Sequence, residues 1–386
     1  MNSNNISILL SYALRALFML AGVFAMLTVF LWVMALHGRG LPGATPLWHS
    51  HELLIGFTMA VVAGFSLTAV ANWTGRPAVN GSPLALLVLA WLIGRLAMLL
   101  SGWLPSSFVA LSDMHFPVLL AYLLGREVIG ARNRRNYTLI IIMIVISALN
   151  GLYHLGDSMW LPGTDRLAVY MLIHILLLLV TIIAGRIVPG FTGNWLRQQG
   201  HNALPIDSVM INRLTLFFTL LTGLAASFMP QHWLTGVLAL ATAIVHGFRL
   251  CRWKGMSTIS NPLLFVLHAA YAWLPIGYTL LACSVFGWLF APTAALHALT
   301  MGAIGSMVFA VITRVALGHT GRPLQAARLT VFAYWILMFA VVVRVLGPLT
   351  GSAYTLMIDL SAAGWMLAFS IFTWVYWPIL SRPRVD

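Results

Sequence analysis

The chain has 386 residues, 61% of them hydrophobic and only 8% charged, with a formal net charge of +13. Soluble globular domains carry about a quarter charged residues, so this composition excludes one and points to a protein that crosses a bilayer repeatedly. The basic residues fall mostly between apolar runs, the pattern of membrane topology; the lipid bilayer is therefore the expected partner, and no nucleic acid is.

Apolar runs of roughly 18–25 residues read as transmembrane helices. In chain order the predicted limits are 12–36, 47–71, 83–103, 108–125, 137–155, 167–188, 212–229, 232–249, 261–288, 292–314, 327–346 and 354–378. The expected fold class is an all-α polytopic membrane protein of about twelve spans. Residues 1–386 read as a single integral membrane domain, with no soluble domain and no convincing internal repeat. The polar start Met1-Asn2-Ser3-Asn4-Asn5 lacks a basic region, so the first run reads as a retained span rather than a signal peptide. Asn72, Trp73, Gly75 and Pro77 mark one turn and Pro230-Gln231 another; Gly185-Arg186-Ile187-Val188-Pro189-Gly190 reads as an ordered helix end and turn.

Arginines orient the chain. Alternate connections hold Arg76; Arg126, Arg132, Arg134 and Arg135; Arg186 and Arg197; Arg249, Arg252 and Lys254; and Arg314, Arg322 and Arg328. The opposite connections have only Arg39 and Arg166 outside predicted helix ends. That bias predicts that both termini are cytoplasmic.

The second span opens on Trp48-His49-Ser50-His51-Glu52, two histidines and a carboxylate where an apolar run begins. Such groups are costly in hydrocarbon unless paired, hydrated or bound to metal. Thr45 suits the cap and Pro46 the first helical position. On a regular helix His49 then shares a face with Glu52 and His51 points away, so either the two histidines serve different centres, which the spacing favours, or the first turn is irregular. Gly56, Ala60, Gly64 and Thr68 follow at four-residue intervals, as do Ala294, Ala298, Gly302, Ser306 and Ala310 on the tenth span. Ordinary close helix packing accounts for most such stripes.

Histidines continue along the chain, twelve against eight acids. Counting 1.5 Å per residue places His51, His174 and His297 about 8–10 Å inside the outer edge. His154 lies near the outer end of the fifth span, one turn after Asn150 on the same face. With His49 they predict an outer-half cluster; His115, beside Pro117 at the interface, needs no special role. On the inner side lie His268 with Tyr271, then Arg314 and Leu317-Gly318-His319-Thr320-Gly321-Arg322. The basic groups there suit haem propionates or another anion, although topology alone explains most of them. His246 and His201 read as interfacial. Arg95 lies well inside the third span and needs an anionic or carbonyl partner, for which Glu52 is the best match by depth and a haem propionate the alternative. Neutral imidazoles with few carboxylates favour haem iron or copper over magnesium or calcium. No CxxCH flanks Cys251 or Cys283, so covalent c-type attachment is excluded; the haem expected here is a non-covalent one, taken as b-type.

Together the blocks resemble the NnrS family of bacterial membrane proteins. They are Trp48 to Glu52 with Asn72-Trp73-Thr74-Gly75; Asn150 with His154; Gly185 to Pro189 through Phe191-Thr192 and Asn194-Trp195; His268 to Pro275; and His297 through Thr313-Arg314 to Arg322. The resemblance implies a twelve-span protein of the bacterial inner membrane containing haem and copper and linked to nitric oxide metabolism and nitrosative stress. By motif position it carries over His49, His51, His154, His268, His297 and His319 as metal or haem ligands; His174 is a secondary candidate on depth alone. Arg95 and Arg314 are candidate cofactor-binding residues, and Glu52 a proton donor or supporting group. The leading expectation is a redox protein that meets nitric oxide or another diatomic and draws on an electron donor of unknown identity. A transporter of copper or a small anion, and a haem-bearing sensor without turnover, are the alternatives.

Overall fold

The computed structural model describes residues 3–385, so Met1 and Asn2 of the polar start lie outside the described residues, as does Asp386. The described residues form helices and no strand, and twelve helices are long and apolar enough to cross a membrane. The chain is a multi-pass membrane protein. Numbered as spans 1 to 12, they are Ala13–Leu36, Pro46–Thr74, Gly81–Leu99, Ser106–Gly130, Arg134–Asp157, Thr164–Gln198, Val209–Phe228, Trp233–Cys251, Pro262–Val285, Pro292–His319, Arg328–Leu349 and Gly351–Leu380.

Three spans run well past their predicted ends, among them span 4, which continues to Gly130. Span 6 continues through Pro189 to Gln198, where a turn was expected. Proline removes one rung of the helical ladder, the bond to the Gly185 carbonyl, and neighbouring groups can make up for one missing rung in a membrane helix. Span 10 stays helical to His319, so the Gly-rich turn begins only at Thr320.

The described chain divides into two compact units. Among the described residues, the first holds 3–172, 315–323 and 369–385; the second holds 173–314 and 324–368. In the first, span 2 packs between spans 1 and 4, and span 4 packs on spans 3 and 5. In the second, spans 7 to 11 pack in sequence, each on the next, with span 9 against the first half of span 10.

Span 3 shows why hydropathy alone cannot orient such helices. Leu84, Leu87, Trp91, Arg95 and Met98 are buried, while Leu86, Leu89, Ile93 and Leu96 are exposed. The buried set follows helical spacing, but both faces are apolar because the exposed one meets lipid rather than water.

Spans 2 and 10 share an unusual construction. Each starts with six α-helical residues, the first of them proline, Pro46–His51 and Pro292–His297. Each then widens into a π-helical stretch, Glu52–Thr58 and Ala298–Gly305, before resuming as an α-helix. Proline, histidine and glycine recur at matching offsets: Pro46, His51, Gly56 and Pro292, His297, Gly302. These are also the most enclosed spans, 83% and 78% buried over their apolar windows against 33–67% for the others. Wide helical turns often mark functional positions, and here each follows a histidine.

A candidate metal centre in the first unit

Span 2 starts as its sequence suggests. Thr45 Oγ1 accepts from the Trp48 amide at 3.1 Å, and Pro46 fills the first helical position. Trp48 Nε1 donates to the Met98 carbonyl at 3.0 Å, fixing this end of span 2 to the end of span 3.

The wide turn then alters which groups face each other. His51, rather than His49, pairs with Glu52, with His51 Nδ1 2.8 Å from Glu52 Oε1. His49 instead stacks on Trp32 of span 1, with ring centroids 4.9 Å apart. The regular-helix expectation is thus reversed, because Glu52 is the first residue of the π-helical stretch and the 100° spacing no longer holds there.

Glycines admit the remaining parts. A Cβ on Gly56 would collide with the Phe24 ring and crowd Arg95, and Trp91 Nε1 donates to the Gly56 carbonyl at 2.9 Å. Trp91 and Arg95, one turn apart on span 3, therefore both seat against this point. A Cβ on Gly94 would come within 3.1 Å of the Asp113 Cα, so its absence lets span 4 approach.

Arg95 meets both Glu52 and Asp113 in buried ion pairs. Asp113 also receives Asn150 Nδ2 at 2.7 Å and His154 Nε2 at 2.9 Å, and its Oδ2 lies 3.3 Å from His51 Nε2. Asn150 Oδ1 is 2.7 Å from the same His51 nitrogen, and Tyr153 stacks on the His51 ring at 4.3 Å. His51, Glu52, Asp113 and Asn150 are fully buried; Arg95 and His154 are at most 5% exposed.

The charges do not cancel. One guanidinium faces two carboxylates, leaving one negative charge in a medium where unpaired charge is costly. Both nitrogens of the His51 ring face acceptor oxygens, Glu52 Oε1 at Nδ1 and Asn150 Oδ1 and Asp113 Oδ2 at Nε2. A cation bound among these groups offsets the remaining negative charge. One ligand atom from each of His51, Asp113 and His154 lies within 4.8 Å of the other two. Two imidazole nitrogens and a carboxylate suit copper, zinc or ferrous iron, and Glu52 Oε2, buried without a hydrogen-bond partner, stands beside them. Arg95 and Asn150 hold Asp113 in the manner of groups that orient metal ligands. The set fits an ion. It does not fit a porphyrin between the imidazoles, because the Asp113 carboxylate occupies that position.

The other candidates lie elsewhere. His174, His268, His297 and Arg314 belong to the second unit, and His319 to the end of span 10 in the first. His174 packs against Gly223. His268 Nε2 meets Thr192 Oγ1 at 2.9 Å. His297 Nδ1 donates to the Thr293 carbonyl at 2.7 Å, which leaves Nε2 as the lone-pair nitrogen, the state a metal-binding imidazole needs. Arg314 lies over the Phe191 ring at 4.4 Å. Of the predicted outer cluster, only His51 and His154 enter the buried group. Asp113, its centre, is absent from the sequence-based candidates, yet span 4 begins at Ser106 and puts Asp113 two turns inside. The depth count applied to His51 finds it equally well.

Fold and site together define a class: a helical membrane protein with a buried, metal-competent histidine–carboxylate group. Residues 8–384 match the family of NnrS proteins, nearly the whole chain. The chain belongs to the NnrS family. None of the curated proteins matches it.

Proposed function

We propose that this protein is a haem- and copper-containing redox protein of the bacterial inner membrane that handles nitric oxide or a related diatomic. The observation that carries the reading is the buried His51, Asp113 and His154 group in a chain of the NnrS family. Copper is assigned to that group, where His51 and His154 supply nitrogen and Asp113 oxygen. The residual negative charge favours a cation, and Glu52, with one oxygen unbonded, is placed to accept or deliver a proton. Haem is assigned to histidines outside the group. His297 is the leading ligand, because its Nδ1–H is already committed to a carbonyl. His268, His319 and His49 are secondary. Copper and haem iron both bind diatomics and exchange single electrons, which is the chemistry this function needs.

The test is purification from membranes followed by metal analysis, an optical spectrum and anaerobic nitric oxide consumption with an added electron donor. Copper near one equivalent, a Soret band and donor-dependent consumption are expected. A preparation with neither copper nor a Soret band overturns the reading. Cofactors without consumption reduce it to binding or sensing.

A further inference from the structure

The second unit holds a buried arginine that is treated very differently from Arg95. Arg249, near the end of span 8, is 5% exposed and makes no ion pair among the described residues. Only two acids belong to this unit, Asp207 and Asp359. The guanidinium Nη1 donates to the Thr181 carbonyl and to Tyr271 Oη, each at 3.1 Å, and the group lies over the Trp253 ring at 5.1 Å. Its Nε is buried without a hydrogen-bond partner. Gly185 makes room for it, since a Cβ there would coincide with the guanidinium.

Apart from the neutral Thr181 carbonyl and Tyr271 hydroxyl oxygens, the contacts of this cation are with the Trp253 ring, and none carries a negative charge. Tyr271 Oη also meets His246 Nδ1 at 2.8 Å, and His246 stacks on Tyr278 at 5.7 Å. The Tyr278 hydroxyl is buried without a partner. A guanidinium at a membrane-buried site is costly without an anion, and its planar fork matches a carboxylate-type group through two parallel hydrogen bonds. Arg249 lies two residues from the end of its span, so the path from water is short.

We propose that Arg249, with Tyr271 and Trp253, forms a binding site for a planar monoanion of carboxylate type. That chemistry has two sources, a free small anion such as formate or nitrate, and the carboxylate of a resident cofactor. The site belongs to the second unit alone and stands even if the metal centre of the first unit fails.

Thermal unfolding of the purified holoprotein in detergent is the test, with sodium formate against sodium fluoride at equal ionic strength. For a free anion, formate raises the melting temperature saturably, by roughly 2–6 °C at about a hundred times its dissociation constant. Fluoride does not, and the rise disappears in Arg249→Gln but persists in Arg213→Gln, a change at an exposed position. For a cofactor carboxylate, formate has no effect on the wild type, and Arg249→Gln loses most of its haem while keeping its helicity. Either pattern supports the site. No formate effect with unchanged haem, or an equal rise in Arg249→Gln, overturns it and leaves Arg249 as a structural hydrogen-bond donor. If Arg249→Gln does not fold, Arg249→Lys decides: the charge remains but the fork is gone, so formate or haem retention weakens at least tenfold. Wild-type behaviour in that variant overturns the proposal.

Discussion

Asp113 holds more of the buried group together than either histidine. It meets Arg95, Asn150 and His154 and stands beside His51. Replacing it with alanine leaves Arg95 paired with Glu52 alone and takes the acceptor from Asn150 and His154, so unfolding should become easier by about 2–4 kcal/mol. His154→Gln leaves both Arg95 pairs in place. It should therefore lower copper content about tenfold or more with a much smaller loss of thermal stability. Copper analysis and melting curves on the two variants separate ligation from scaffolding; equal losses of stability would place His154 in the scaffold. Part of this group is legible in the sequence. Matching depth pairs Arg95 with Glu52, and the Asn150–His154 spacing puts both on one face. His246 and Arg249 are harder to see, because their positions near a helix end suit interfacial or topology-setting roles equally well. Only the absence of a nearby acid reveals that Arg249 is buried without a counter-charge.

At the scale of the element, the wide turn of span 2 decides which histidine enters the group. Gly56→Ala should destabilise the protein by about 1–3 kcal/mol, because the added methyl collides with Phe24 and crowds Arg95. Deleting one residue between Glu52 and Gly56 should restore a regular helix and undo the wide turn that seats His51 beside Glu52 and Asp113. The expected outcome is loss of copper with helicity by circular dichroism unchanged; retained copper would show that the wide turn does not set the site. The cap at Thr45, the proline at Pro46 and the length of the span are all legible, since they rest on local chemistry and hydropathy. The π-helical turn is not. An apolar run looks the same whether its backbone bonds skip four residues or five. The paired offsets of Pro46, His51, Gly56 and Pro292, His297, Gly302 are the one signal that links the two wide turns.

For the whole molecule, the number of spans is read directly from hydropathy, because twenty apolar residues must span a bilayer as helix. Orientation rests on the arginine bias alone. It predicts that a fluorescent protein fused after residue 385 lights up in intact cells while alkaline phosphatase fused there stays inactive. The opposite pair of results would invert the topology and move the histidine group of span 2 to the inner face. The assignment of chain to units is not legible, because it depends on which lipid-facing and buried stripes match, and hydropathy does not distinguish the two.

The first unit is assembled from three separate stretches of chain. Arg15 Nη1 donates to the carbonyls of Leu380 and Arg382, at 2.7 and 2.6 Å, and the Val385 amide donates to the Thr320 carbonyl at 3.0 Å. The bond to Leu380 joins residues 365 positions apart. During synthesis, the first span therefore enters the membrane long before its closing contacts exist. The unit that carries the histidine–carboxylate group stays open at that end while the whole second unit is made. A ribosome that stalls before residue 369 leaves a chain with every candidate copper ligand in place and no closed shell around them.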